Sequence, residues 1–193
     1  MHSQYIPDFE VKQISEILIR HKIDFMIQLR SSNEHIVKPF AEEFKNAQFF
    51  AGNHPWEVKC DIAIPCATQN ELNLSDAKNL IKNNCICICE GANMPCTPEA
   101  IDVFQSNKIL YCPGKAANAG GVATSGLEMT QNAMKLRWPK SEVDQRLHQI
   151  MESIHEACSH YGRQPDGYID YVKGANIAGF LKVANAMIDQ GIV

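Results

Sequence analysis

Two rhythms of apolar positions alternate along the chain. From Asp8 to His21, Phe9, Val11, Ile14, Ile17, Leu18 and His21 recur near helical spacing and predict an amphipathic helix. Asp24 to Gln28 then reads as a short strand. A second helix is expected from Glu34 to about Asn46, with Ser32 or Asn33 as its cap and Ile36, Val37, Phe40 and Phe44 as its stripe. A short strand at Ala47 to Phe50 follows. After the turn signals Gly52, Asn53 and Pro55, Asp61 to Pro65 reads as a buried strand running into Cys66-Ala-Thr-Gln-Asn-Glu.

The same alternation continues to the end of the chain. Ser75 and Asp76 open a helix to about Lys82, Cys85 to Cys89 is the next strand, and it runs into Glu90-Gly-Ala-Asn-Met-Pro. Thr97 and Pro98 mark a helix start, with Thr as N-cap, Pro at the first helical position and Glu99 favourable in the first turn. Ile109 to Cys112 is a strand that delivers the chain to Pro113 to Met129. Ser141 onward is helical through Val143, Leu147, Ile150, Met151 and Ile154, and a Gly-Arg-Gln-Pro-Asp-Gly loop at 162–167 separates it from closing helices at Tyr168 to Gly191. Strands alternating with helices predict βαβ units. The expected fold is α/β, a partial Rossmann-like, doubly wound, mostly parallel sheet with helices on both faces and C-terminal helices.

Composition narrows the class. In a chain of 193 residues, 45% are hydrophobic and 21% charged, which is the balance of an ordinary globular protein. A net charge of -4 gives no footprint for nucleic acid or an anionic membrane. No apolar run reaches the roughly 18 residues of a membrane span, and Met1 to Glu10 lacks the layout of a signal peptide, so a cytoplasmic protein is expected. The eight cysteines show neither Cys-x-x-Cys nor zinc spacing. Cys85, Cys87 and Cys89 alternate with Ile86 and Ile88, as in a strand buried on both faces whose cysteines act as small hydrophobes.

In open parallel sheets ligands bind beyond the carboxyl ends of the strands. Three polar segments fall there: Ala67-Thr-Gln-Asn, Gly91-Ala-Asn, and Lys115 to Ser125. Within the last, Asn118, Val122, Ser125 and Met129 share one face if the run is helical. Its paired glycines fit either a helix packed closely on a neighbour or a backbone approached by a ligand. The available groups are amides and hydroxyls. Asparagine offers both donor and acceptor, which suits a carboxamide, and Ser and Thr suit ribose or carboxylate oxygens. No Gly-x-Gly-x-x-Gly is present, so the usual pyrophosphate cradle is missing, and no tuned lysine or acid pair stands out.

Four motifs carry a family resemblance: Asp-Ile-Ala-Ile-Pro-Cys-Ala-Thr-Gln-Asn-Glu-Leu (61–72), Glu-Gly-Ala-Asn-Met-Pro (90–95), Pro-Gly-Lys-Ala-Ala-Asn-Ala-Gly-Gly-Val-Ala-Thr-Ser-Gly-Leu-Glu-Met (113–129) and Gly-Ala-Asn-Ile-Ala-Gly-Phe (174–180). Through them the sequence resembles the C-terminal part of the hexameric, NADP-linked glutamate dehydrogenases of bacteria and lower eukaryotes, weakly before about residue 55 and strongly after it. The resemblance implies reversible reductive amination of 2-oxoglutarate to L-glutamate with NADPH. It implies contacts to the cofactor by Ala67, Thr68, Asn93 and Asn118, a contact from Ser125 to the distal carboxylate of glutamate, and packing of Val122 beside the substrate.

The family's substrate domain, with its catalytic lysine and aspartate, and its glycine-rich turn have no match in the chain. The resemblance therefore implies a truncated dinucleotide-binding domain at 1–140 and a C-terminal helical segment at 141–193, with no catalytic residue and no turnover by the chain alone. A homo-oligomer through exposed apolar surface is expected instead of the family's hexamer. Two alternatives stand beside this reading. One is a non-catalytic interaction module; the other is a related dehydrogenase acting on leucine, phenylalanine or valine.

Overall fold

The computed structural model describes residues 16–32 and 38–191. The chain divides between residues 58 and 59 into two compact units. In the first, helix α1 (Glu16–Ser31) and helix α2 (Lys38–Glu43) meet through aromatic rings. His21 and Phe25, four residues apart on α1, pack on Phe44 at centroid distances of 5.7 and 5.5 Å. Phe44 in turn lies 4.5 Å from Phe40, which is buried.

That pairing corrects the strand expected at Asp24 to Gln28. A four-residue repeat brings two rings to one face only in a helix, so the segment continues α1. Nor does Ala47 to Phe50 form a strand: it is irregular, with no ladder partner. Residues 8–15 of the expected opening helix, and the expected cap and start of the second helix at 33–37, lie outside the described residues.

The second unit carries a three-stranded parallel sheet in the order β1 (Ile62–Ala63), β2 (Cys87–Cys89), β3 (Leu110–Cys112). Helix α3 (Leu74–Lys82) connects the first two strands and α4 (Pro98–Ser106) the second two. Asn73 caps α3, accepting from Ser75 N at 2.8 Å and Asp76 N at 3.2 Å, while Asp76 Oδ2 accepts from Asn73 N at 3.0 Å. This reciprocal box starts the helix ahead of Ser75. Thr97 and Pro98 open α4 as the sequence predicts.

Register partners Ala63, Ile88 and Tyr111 are buried on one face of the sheet, with Leu80 of α3 and Phe104 of α4 in the same core. The opposite face is partly covered, the closing helix (Tyr171–Gln190) packing against β3. Ile62 is 54% and Leu110 44% exposed, and Cys87, Cys89 and Cys112 are half-buried. The cysteine-rich strand is therefore fully covered on one face and only partly on the other.

The run from Pro113 is helical in two pieces, α5 (Gly114–Ala117) and α6 (Ala119–Met134), broken at Asn118. Helix α7 (Lys140–Gly162) follows, and the closing helices are one, α8 (Tyr171–Gln190), whose Asp170 cap accepts from Lys173 N at 3.0 Å. Helices α7 and α8 cross in near backbone contact: a Cβ on Gly174 would stand 2.0 Å from the Cys158 carbonyl oxygen. The loop between them is tied to the sheet layer by Gln105 Nε2 to Asp170 Oδ1 at 3.1 Å and by Tyr168 OH to the Ile109 carbonyl at 3.3 Å. Among the described residues no helix is long and apolar enough to cross a membrane.

Candidate functional site

All three strands end at one edge, and the segments that leave them are tied to one another. The Pro65 carbonyl after β1 accepts from both Gly91 N and Ala92 N at 3.0 Å. Further along the same loops, Asn70 N donates to the Met94 carbonyl and Leu72 N to the Pro95 carbonyl, each at 2.9 Å. The approach is close at Gly91, where a Cβ would lie 2.4 Å from Cys66 Sγ and turn that exposed side chain aside. Asn70 and Met94 both take left-handed φ values, +57° and +52°. In Met94, whose side chain is 64% exposed, that conformation costs on the order of 1 kcal/mol.

Glu90 joins the second loop to the third. Only 4% exposed, it accepts from Gly114 N at 2.7 Å through Oε2 and from Cys96 N at 3.3 Å through Oε1. Burial, and then the neighbouring Glu90 carboxylate, push the Tyr111 hydroxyl and the Cys96 thiol well above their usual pKa. A Cβ on Gly114 would meet the Ala92 carbonyl at 3.0 Å, so the start of α5 is held against this loop by contact as well as by hydrogen bond.

Asn118 completes the junction. Its amide donates to Asn93 Oδ1 at 2.7 Å and to the Ala92 carbonyl at 3.2 Å. Because the side chain is engaged there, it does not cap α6. This differs from the helical stripe expected of the sequence, in which Asn118 stands above Val122. It sits instead at the joint between two helices.

The predicted residues fall into two groups. Ala67, Thr68, Asn93 and Asn118 come together at the strand ends; Ala67 N donates to Glu71 Oε1 at 2.8 Å, and Thr68 and Asn93 are exposed. Val122, 73% exposed, and Ser125 lie farther along α6 on a face left open, where Ser125 Oγ donates to the Gly121 carbonyl at 3.4 Å. Close packing requires neither glycine of the pair: a Cβ on Gly120 would make an ordinary contact with Met151 Sδ at 3.6 Å, and Gly121 faces open space.

Sequence reasoning passed over Glu90 as an organiser. The signal was present, an acidic residue directly after an apolar strand that the fold buries. Chemically, the edge offers amides, hydroxyls and backbone. Its two carboxylates, Glu71 and Glu90, hold backbone N–H groups, and Cys66 is pushed above its usual pKa by desolvation and by Glu71. A separate cavity of about 820 Å³ between α5, α6, α7 and α8 is lined by Leu127, Ile150 and Ile154 with Lys115 and Lys182. None of the predicted site residues lines it.

Comparison with known proteins gives a consistent result. Residues 15–191 match the Glutamate/Leucine/Phenylalanine/Valine dehydrogenase family. An NAD-specific glutamate dehydrogenase of Bacteroides fragilis is 65% identical over 172 residues, 89% of this chain and 39% of that protein. The NADP-specific glutamate dehydrogenase of Escherichia coli is 50% identical over 174 residues, 90% of this chain and 38% of that protein. The crystal structure of Plasmodium falciparum glutamate dehydrogenase superposes with a TM-score of 0.85 at 43% identity, covering 98% of this chain and 40% of that one. The chain thus spans about two fifths of the length of the relatives it matches. It belongs to the Glutamate/Leucine/Phenylalanine/Valine dehydrogenase family.

Proposed function

We propose that these residues form the dinucleotide side of a cytoplasmic glutamate dehydrogenase, which interconverts L-glutamate and 2-oxoglutarate with ammonium and a nicotinamide dinucleotide. The observation that carries this reading is the convergence of the three strand-end segments, held by Asn118 on Asn93 and Ala92. Asn118 Oδ1 and the amide nitrogen of Asn93 are left over from that contact, an acceptor and a donor side by side. These are the groups a carboxamide requires, so the residues present fit the nicotinamide end of the cofactor.

NADP follows from the resemblance, while the relatives' own preferences include both NAD and NADP. When bound, the dinucleotide supplies hydride chemistry. The chain's own residues bind and orient. Ala67 and Thr68 border the ribose, Asn93 and Asn118 fix the ring, Val122 packs beside the substrate, and the Ser125 hydroxyl meets the distal carboxylate. A hydroxyl there favours glutamate over leucine, phenylalanine or valine, whose apolar side chains have no use for it. None of these groups transfers a proton at neutral pH, and positioned proton transfer contributes roughly a hundred- to ten-thousandfold. The chain alone is therefore expected to show no turnover. The boundary at 140/141 belongs to this proposal, separating the cofactor side from a closing helical pair.

A second reading, a non-catalytic interaction module or homo-oligomer, is favoured by the exposed stripe on α8, where Phe180 is 70%, Val183 60% and Met187 67% exposed. A chimera separates the two. This sequence replaces the matched segment of the Bacteroides fragilis relative, and glutamate oxidation is assayed with NAD and with NADP. Activity is expected, and Ser125→Ala is expected to raise KM for glutamate about tenfold or more. A folded but inert chimera would leave the second reading.

A further inference from the structure

Cys89 and Cys112 are direct partners in the register of β2 and β3. Hydrogen-bonded strands lie about 4.8 Å apart, inside the roughly 4.4–6.8 Å Cα separation that a disulfide spans. Register partners point to the same side of a sheet, and here that is the partly covered side, where α8 packs against β3 while Ile62, Ile64 and Leu110 stay exposed. Both thiols are half-buried, so a small solute reaches them. Each thiol shifts the other's pKa, Cys89 downward and Cys112 upward, as register partners on one side of the sheet do when their sulfurs are neighbours. The next residues along each strand, Glu90 and Pro113, lead into the candidate site, and Glu90 N donates to the Cys112 carbonyl at 3.1 Å.

We propose that Cys89 and Cys112 are a peroxide-oxidisable dithiol that closes to a disulfide at the root of the candidate site. Cys89 is the attacking sulfur, because the hydrogen bond it receives from Cys112 lowers it to about 7. Its thiolate attacks one oxygen of hydrogen peroxide; the O–O bond breaks and hydroxide leaves, taking a proton to become water. The sulfur loses two electrons and becomes a sulfenic acid. Cys112, giving its proton to solvent, attacks that sulfur and displaces hydroxide, which is protonated to a second water. Two thiols and one peroxide give one disulfide and two waters.

Cys60 likewise lowers Cys85 to about 7, but Cys85 is buried, and that shields it from a solute. Cys66 is exposed, but burial of its sulfur and the neighbouring Glu71 raise it. Cys87 also reaches Cys112, yet its register partner is Leu110, so the shorter closure belongs to Cys89.

The test uses the full chain treated with equimolar hydrogen peroxide, its remaining thiols alkylated, and non-reduced digests read by tandem mass spectrometry. Two of the eight thiols should be lost, in a link between Cys89 and Cys112 that dithiothreitol reverses. Cys87→Ser should keep that loss, and Cys112→Ser should leave Cys89 as a sulfenic acid trapped by dimedone. Retention of all eight thiols would overturn the proposal. So would a link through Cys87 or between Cys60 and Cys85, or oxidation of Cys66 alone. The readout is independent of the dehydrogenase reading and survives its failure.

Discussion

Glu90 sets the geometry of the candidate site from a buried position. Both of its oxygens receive backbone N–H groups, one from its own loop and one from the start of α5, and a charged acceptor strengthens each bond. Glutamine offers only one oxygen there and turns an NH₂ group toward a second donor. Glu90→Gln is accordingly expected to destabilise the second unit by about 1.5–3 kcal/mol. Urea unfolding of the variant beside the parent checks this, and an unchanged midpoint would show that the two bonds are dispensable. The polar segments at 67–70, 91–93 and 115–125 could be read from sequence because amides and hydroxyls after apolar strands are local signals. The carboxylate linking them was not, since its partners stand 6 and 24 residues away.

Among the elements, local periodicity located α3, α4, α7 and the three strands of the sheet, each carrying its own cap or alternation. It failed at Asp24 to Gln28, where a short apolar run fits strand or helix until the Phe40 and Phe44 rings settle the matter. It failed again at Asn118, where a contact to another loop ends one helix and begins the next. The motif at 174–180 carries a packing requirement that spacing alone does not reveal. Gly174 is where α8 meets the backbone of α7, whereas a Cβ on Gly179 would have no neighbour within 4 Å. Gly174→Ala should therefore destabilise the pair by about 1–3 kcal/mol through overpacking. Gly179→Ala should stabilise α8 by about 0.5–1 kcal/mol through helix propensity. Thermal unfolding of the two variants side by side distinguishes them, and equal shifts would mean that α7 and α8 do not cross so closely.

At the scale of the molecule, the sheet is fully covered on one face and only partly on the other, and α6 turns Val122 and Met129 outward. The cavity between α5, α6, α7 and α8 borders the third strand-end segment through Lys115 and Ala116 but is lined by none of Ala67, Thr68, Asn93, Asn118, Val122 and Ser125. On the proposed function the strand-end edge, and not that cavity, receives the nicotinamide end of a dinucleotide. Titration of the isotopically labelled 193-residue chain with reduced nicotinamide mononucleotide, followed through backbone amide chemical shifts, tests it most directly. The probe carries the ring and its ribose without the adenosine half. Saturable shifts are expected at Thr68, Asn93, Asn118 and Val122 and their neighbours. Shifts confined to Ile150, Ile154 and Ala178 in the cavity, or none up to millimolar probe, would contradict the account.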